Sequence, residues 1–288
     1  VDERELKKLV REVIGTEYTL DDCAVVACGG GILVATTDML HEETDFPVGM
    51  TDWQIGWMSA AVTLSDIAAM GAHPAILLLA VGLDRSGRLR EILEGAKACC
   101  TACGAVLAGG DLDSHRELTI VSSGIGFSDR ETLVRRSGAR PGNLIGVTGT
   151  PGRAQAALDG YRQYERFLFE PMPRMAEGRT LAQAGATAMM DISDGLVASL
   201  YDMLDANECG FSIDSSLLPL IEGIDPVRNR EYSLFGGGDF ELLFTCPPLI
   251  LPLAGIDVHV IGSVIKEHTV LVDGDVAPDR GYLHQWIV

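Results

Sequence analysis

Two domains, an N-terminal α/β domain followed by a C-terminal α+β domain, are the fold class this sequence predicts. Three observations predict it. Apolar runs of strand length are interleaved with helical patterns in both halves of the 288 residues. The 33 glycines and 12 prolines are spread along the chain, which points to many turns and to no low-complexity tract. A polar stretch, Arg135-Arg136-Ser137-Gly138 with Pro141-Gly142, interrupts the pattern near the middle and divides residues 1–136 from 137–288. No period of roughly 20–50 residues recurs, so repeat architectures are excluded.

The elements follow in order. Leu6, Leu9, Val10 and Val13 share one face of a helix over 2–14. Two apolar runs, 23–28 and 32–37, flank Gly29-Gly30-Gly31 and read as a β-hairpin whose second strand ends at Thr36-Thr37-Asp38. Thr51 or Asp52 caps a helix that runs to about Met70 and stops at Gly71. That helix is apolar nearly all round, hence buried, and between Trp53 and Met70 its only charge is Asp66. Ser59 and Thr63 lie on the face of Asp66. A strand (75–83), a helix (88–103), a strand (105–109), a turn at Gly109-Gly110-Asp111-Leu112-Asp113 and a strand (118–127) complete the first half. The second half opens with a strand (143–148), the glycine-spaced turn 148–152 and helices near 152–160 and 172–185. Ser193 reads as the N-cap of a further helix. Strands near 210–214, 240–246, 257–264 and 268–273 close the chain.

Composition narrows the function classes. Hydrophobic residues make up 47% and mean hydropathy is +0.20, so a sizeable core is expected and disorder is not. Asp and Glu number 41 against 22 Lys and Arg, a net charge of −19 that repels nucleic acid and anionic membranes. The start, VDERELKKLV, carries no apolar core, and seven cysteines is an odd number; both predict a cytoplasmic, reducing setting. The apolar region 53–83 contains Asp66, His73 and Pro74 and reads as a buried helix and strand, not a membrane span. Cys100 and Cys103 form a CxxC without a second ligand pair at metal spacing, so structural thiols are expected.

Familiar catalytic signatures are absent: no GxxxxGK[ST], no HRD or DFG, no GxSxG, no HExxH. What stands out is a series of aspartates beside Gly, Ser or Thr: Asp21-Asp22, Thr36-Thr37-Asp38, Gly110-Asp111 and Asp191-Ile192-Ser193-Asp194. Each alone is ordinary turn chemistry. Together with Asp66 on a buried helix they suggest hard oxygen ligands for magnesium, with small neighbours that let a phosphate approach the backbone. A lone buried carboxylate is otherwise satisfied by backbone or an arginine.

Read in sequence, Asp21-Asp22-Cys23-Ala24, Thr36-Thr37-Asp38-Met39, Leu64-Ser65-Asp66-Ile67-Ala68-Ala69-Met70-Gly71-Ala72 and Gly109-Gly110-Asp111 lead into Arg136-Ser137-Gly138-Ala139-Arg140-Pro141-Gly142. Val147-Thr148-Gly149-Thr150-Pro151-Gly152, Asp191-Ile192-Ser193-Asp194-Gly195-Leu196 and Gly236-Gly237-Gly238-Asp239-Phe240-Glu241-Leu242 follow. From about residue 19 to the end this resembles the thiamine-monophosphate kinase family. That family sits in the ATP-binding superfamily of aminoimidazole ribonucleotide synthetase, selenophosphate synthetase and the hydrogenase-maturation carbamoyl dehydratase. The resemblance implies the two-domain aminoimidazole ribonucleotide synthetase-like fold, with an N-terminal domain that pairs with its copy in a homodimer. It also implies ATP as co-substrate, several magnesium ions, and thiamine monophosphate as acceptor. By matching position the metal ligands are Asp22, Thr36, Thr37, Asp38, Asp66, Asp111, Asp191 and Asp194. Gly110, Asp111, Arg136 and Ser193 meet the nucleotide, while Asp66, Asp111, Arg136 and Asp194 carry the reaction.

On the acceptor side the resemblance assigns Asp45, Gly238 and Trp286. Asp45 stands where much of the family has a histidine, and Gly238 where it has a glutamate; Trp286 lies in a tail that loosely matches the family's aromatic end. These departures leave open a paralogue with another small acceptor, and a catalytically silent nucleotide- or metal-binding protein. The other superfamily members fit less well. The chain ends Trp286-Ile287-Val288 without a reactive cysteine, and Cys28-Gly29-Gly30-Gly31 lacks an adjoining lysine. An acceptor phosphate is already ionised, so transfer needs positioning and charge neutralisation and no general base.

Overall fold

The structure is a computed structural model and describes residues 3–282. In chain order the first half holds α1 (Glu3–Ile14), β1 (Ala24–Cys28), β2 (Gly31–His41), α2 (Asp52–Ala69), β3 (His73–Leu83), α3 (Leu89–Cys103), β4 (Val106–Ser114) and β5 (Thr119–Ser128). The second half holds β6 (Leu144–Thr148), α4 (Arg153–Leu158), α5 (Glu165–Phe169), α6 (Met175–Ala184), β7 (Ala188–Ile192) and α7 (Leu196–Asp205). β8 (Gly210–Ile213), α8 (Pro226–Phe235), β9 (Glu241–Cys246), β10 (Val258–Ile265), β11 (Val270–Val272) and β12 (Asp275–Val276) complete it. Each half builds one sheet. The first has the order β1-β2-β5-β3-β4 and the second β12-β11-β8-β10-β6-β9-β7. The architecture is mixed α/β and α+β.

In the first sheet only β3 and β4 run parallel, joined by the crossover helix α3; the other pairs are antiparallel. Val34, Leu77, Leu79, Val81 and Ile120 point to the face covered by α2 and α3 and share one core with them. The alternate residues of each strand point away from that core. They include Val26, Met39, Leu78, Val106 and Phe127, all large, apolar and exposed. In the second sheet α7 packs Leu196, Val197, Leu200 and Met203 against Ile145, Phe211 and Leu243, while Leu181 and Ala182 of α6 meet Leu242 and Phe244.

Helix α2 lies between the halves. Thr51 and Gln54 form a reciprocal capping box at its start, with Gln54 N–H donating to Thr51 Oγ1 at 3.2 Å and Thr51 N–H to Gln54 Oε1 at 3.0 Å. All but a few of its residues are buried, which accounts for an apolar pattern with no polar stripe. It crosses α3 at backbone contact. A Cβ on Gly56 would lie 1.9 Å from Ile92 O, and one on Gly95 1.8 Å from Trp53 O.

Four expectations need correction. Strand β2 does not end at Asp38 but continues to His41, so the Thr-Thr-Asp run lies inside the strand. Residues 109–113 form no turn; β4 runs through them, with Gly110 pressed so close to β3 that a Cβ would lie 1.8 Å from Leu79 O. Ser193 is not an N-cap, because Gly195 at φ 111 opens α7. Helices α5 and α8 were not anticipated, although Asp225 caps α8 and Pro226 follows as its first residue, a readable start signal.

Candidate functional site

Three carboxylates from three places in the chain converge between the two halves. Asp22 precedes β1, Asp66 belongs to α2 and Asp191 to β7, and each offers an oxygen within 4.8 Å of the others. Asp22 and Asp191 are buried. Neighbouring hydroxyls hold the carboxylates in place: Thr36 Oγ1 donates to Asp66 Oδ2 at 2.5 Å, and Ser65 Oγ to Asp191 Oδ2 at 2.7 Å. Beside them, Thr63 Oγ1 donates to Asp38 Oδ2 at 2.6 Å. Successive positions on α2 thus serve opposite halves, Asp66 facing β2 and Ser65 facing β7.

One guanidinium answers this charge. Arg136 donates from Nε at 3.1 Å and from Nη2 at 2.6 Å, both to Asp22 Oδ1. Its neighbour Arg135 pairs with Asp21, whose Oδ1 also accepts the Arg136 N–H at 3.0 Å. Burial raises the pKa of Asp22, with the Arg136 charge pulling the other way. Burial likewise lifts Asp66 well above the usual carboxylate range, reinforced by Asp38, Asp191 and Asp22. Asp38 is raised by burial and by Asp22, against the Thr63 hydrogen bond, and Asp191 is pushed up to about 7 by burial and by Asp22. Four acids against one base is a strongly under-neutralised pocket.

The donor set fits a divalent cation. Asp22 Oδ2 is buried without a hydrogen-bond partner, the kind of oxygen a hard cation would satisfy. Hydroxyl and carboxylate oxygens are the atoms magnesium prefers, and no sulfur or imidazole belongs to the triad.

The remaining expected residues stand apart from this triad. Thr37 points to the opposite face of the first sheet, where its hydroxyl donates to Ser122 O at 3.0 Å and lies 2.9 Å from Ser123 Oγ. Asp111 is on that same face at the exposed edge strand β4, paired through Ala80 and Val121 to Met39. Three strand spacings separate Asp111 from β2, about 14 Å, so it does not reach the triad within its own chain. Gly110 lies beside it on β4. Ser193 and Asp194 form the loop after β7. Ser193 O accepts Gly238 N–H at 2.7 Å and Asp194 O accepts Tyr282 N–H at 3.0 Å, which brings the Gly236-Gly237-Gly238 turn against this loop.

Asp45 shapes the connection between β2 and α2: its Oδ2 accepts His41 N–H and Thr44 Oγ1, each at 2.8 Å. Gly238 has φ +84, a conformation that disfavours any side chain there. Trp286 lies outside the described residues. The turn 148–152 is closed by Asp239, which accepts Gly152 N–H and, at 2.9 Å, Ala154 N–H. Beneath it Glu241, almost fully buried, binds Thr148, Arg153 and Arg174. Sequence reasoning missed Ser65, whose one signal was adjacency to Asp66, and the double pairing of Arg135-Arg136 with Asp21-Asp22.

The chain is similar to known proteins along its whole length. The family described as AIR synthase related protein, N-terminal domain, matches residues 20–128. A thiamine-monophosphate kinase of Halobacterium salinarum is 41% identical over 99% of this chain and the whole of that protein. A solved structure of AaThiL complexed with AMPPCP and TMP superposes with a TM-score of 0.92 at 28% identity, covering 99% of this chain and 97% of that one. The thiamine-monophosphate kinase of Methanospirillum hungatei is 51% identical over 99% of this chain and all of its own length. Identity at that level, sustained from end to end, places the relationship beyond shared fold: this chain belongs to the thiamine-monophosphate kinase family.

Proposed function

We propose that this protein transfers the γ-phosphate of ATP to thiamine monophosphate, forming thiamine diphosphate and ADP. One observation carries the reading: a chain-long match to thiamine-monophosphate kinases coincides with a buried acidic pocket whose donors suit magnesium. Asp22, Asp66 and Asp191 would hold the metal ions, with Asp38 and Thr36 alongside; when bound, these ions neutralise the two polyanionic substrates. The chain's own groups position and exclude. Arg136, fixed by Asp22, presents its guanidinium edge to the nucleotide phosphates, and Ser193 with Asp194 lines the opposite wall. The acceptor oxygen belongs to an ionised phosphate, so no side chain has to remove a proton.

Thr37, Gly110 and Asp111 enter the site from a second copy of the chain. The support is the uncovered face of the first sheet, where Asp111 and Thr37 stand among the exposed Val26, Met39, Leu78, Val106 and Phe127. An apolar sheet face of this kind is covered in an isologous dimer. Asp45 and Gly238 border the acceptor. A cytoplasmic setting fits the seven cysteines, all of them free thiols. No helix among the described residues is long and apolar enough to cross a membrane.

Incubation with ATP, magnesium and thiamine monophosphate tests the reaction, with ADP and thiamine diphosphate expected in equal amounts. ADP release that ignores the acceptor, or ATP bound and never turned over, contradicts the proposal.

A further inference from the structure

Arg88 is 7% exposed, and its guanidinium gathers three carboxylates from three segments. Nε donates to Asp52 Oδ1 at 2.7 Å, and Nη1 lies 3.0 Å from Asp84 Oδ1 and 2.8 Å from Glu42 Oε1. Glu42 begins the connection between β2 and α2, and Asp52 is the first residue of α2, so one side chain ties both ends of the segment 42–51. Asp84, in the turn after β3, anchors the guanidinium from beneath. Burial alone would lower the Arg88 pKa, but its hydrogen bonds to Asp52, Asp84 and Glu42 raise it, so the charge is permanent.

Removing that charge would leave three carboxylates facing one another with nothing between them. The segment itself is lightly held. Phe46 is its one buried apolar anchor, and the tip at Val48 is fully exposed. Inside it Asp45 closes the turn on His41 and Thr44. Arg88 touches none of the acidic pocket, so its influence on the reaction runs through this segment.

We propose that Arg88 is a positioning residue that clamps both ends of the segment 42–51 and thereby sets the acceptor-facing turn at Asp45. The proposal rests on the reading that this segment borders thiamine monophosphate. A lysine cannot replace the fork, since one ammonium does not span three carboxylates held in that geometry.

The test compares Arg88→Met, Arg88→Lys and Asp45→Ala in the full chain by steady-state kinetics. Arg88→Met is expected to raise the KM for thiamine monophosphate about tenfold, with kcat and the KM for ATP within about twofold, and Arg88→Lys to fall between. In parallel, a glutamate-specific protease should cut after the exposed Glu43 faster in both variants, and thiamine monophosphate should slow that cleavage. If Arg88→Met does not fold, Arg88→Lys carries both readouts. Equal shifts in both KM values, a fall in kcat alone, or unchanged cleavage at Glu43 overturns the clamp. A raised acceptor KM in Asp45→Ala without one in the Arg88 variants overturns the clamp and leaves the segment's role standing. No change in any of the three overturns the segment's role as well.

Discussion

Arg136 gives both of its hydrogen bonds with Asp22 to a single oxygen, Oδ1, and leaves the buried Oδ2 with no donor of its own, in a carboxylate that clusters with Asp66 and Asp191. A symmetric, bidentate pair would have closed the site. The one-sided pair instead orients the carboxylate and keeps an oxygen for something else, while burial, and after it the neighbouring carboxylates, raises the pKa values of the cluster.

Asp66→Asn removes a charge from the centre of that cluster and keeps its shape. Turnover is expected to fall by about three orders of magnitude or more while the circular dichroism spectrum is unchanged, as for loss of a group acting on the transferring phosphoryl. The variant should also lose most of the rise in Tm that magnesium produces. Full activity in Asp66→Asn would remove this residue from the site.

Asp66, on α2, and Asp111 lie on opposite sides of the first sheet, and the proposed dimeric site makes their defects complementary. Asp66→Asn and Asp111→Asn are each expected to be inactive, and mixing them after dissociation should restore about one quarter of wild-type activity. Half of the random dimers would then carry one intact site. Mixtures that stay at the level of the single variants contradict the shared site.

The acidic cluster gives the metal-free protein a definite pH dependence. Burial raises the folded-state pKa of Asp66 and takes Asp191 and Asp239 to about 7, above the usual aspartate value of about 3.9. The folded state therefore keeps protons that the unfolded chain has lost, and stability falls as pH climbs from about 4 through 7. Thermal unfolding in a chelator should show a Tm at about pH 8 several degrees below that at about pH 5.5. Magnesium favours the ionised carboxylates and should add more at the higher pH. A chelated Tm that rises over this range contradicts the assignment.

Gly95→Ala tests the contact between α2 and α3. A methyl group 1.8 Å from Trp53 O cannot be accommodated without separating the helices. Destabilisation of about 3 kcal/mol or more is expected, at the upper end of overpacking costs, and chemical denaturation measures it. A loss under about 1 kcal/mol would mean that the helices part easily.

How much of this was legible in the sequence depends on where each polar group finds its partner. The β1–β2 hairpin, the capped buried helix α2 and the lone Asp66 within it were readable, because local pattern and capping chemistry agree there with the fold. The extension of β2 was not. Thr36 and Asp38 look like the polar end of a strand, and only Asp66 and Thr63, some thirty residues away, make them acceptable inside one. Gly109-Gly110 reads as a turn, whereas Gly110 answers a close backbone approach from β3 that no local signal announces. Arg135-Arg136 looked like boundary punctuation because its acidic partners sit more than a hundred residues upstream. The resemblance supplied the ligand set; only the folded chain places Asp111 and Thr37 on the other side of the sheet from the rest.

Helix α2 has almost no solvent side. Its capping box fixes one end, two glycines seat it against α3, and neighbouring hydroxyl and carboxylate groups grip sheets on either flank. A rod wedged in this way cannot roll or slide without tearing several bonds at once. Its amide protons belong among the slowest to exchange with deuterated water, and conformational change during a catalytic cycle is left to the loops around a stationary axis.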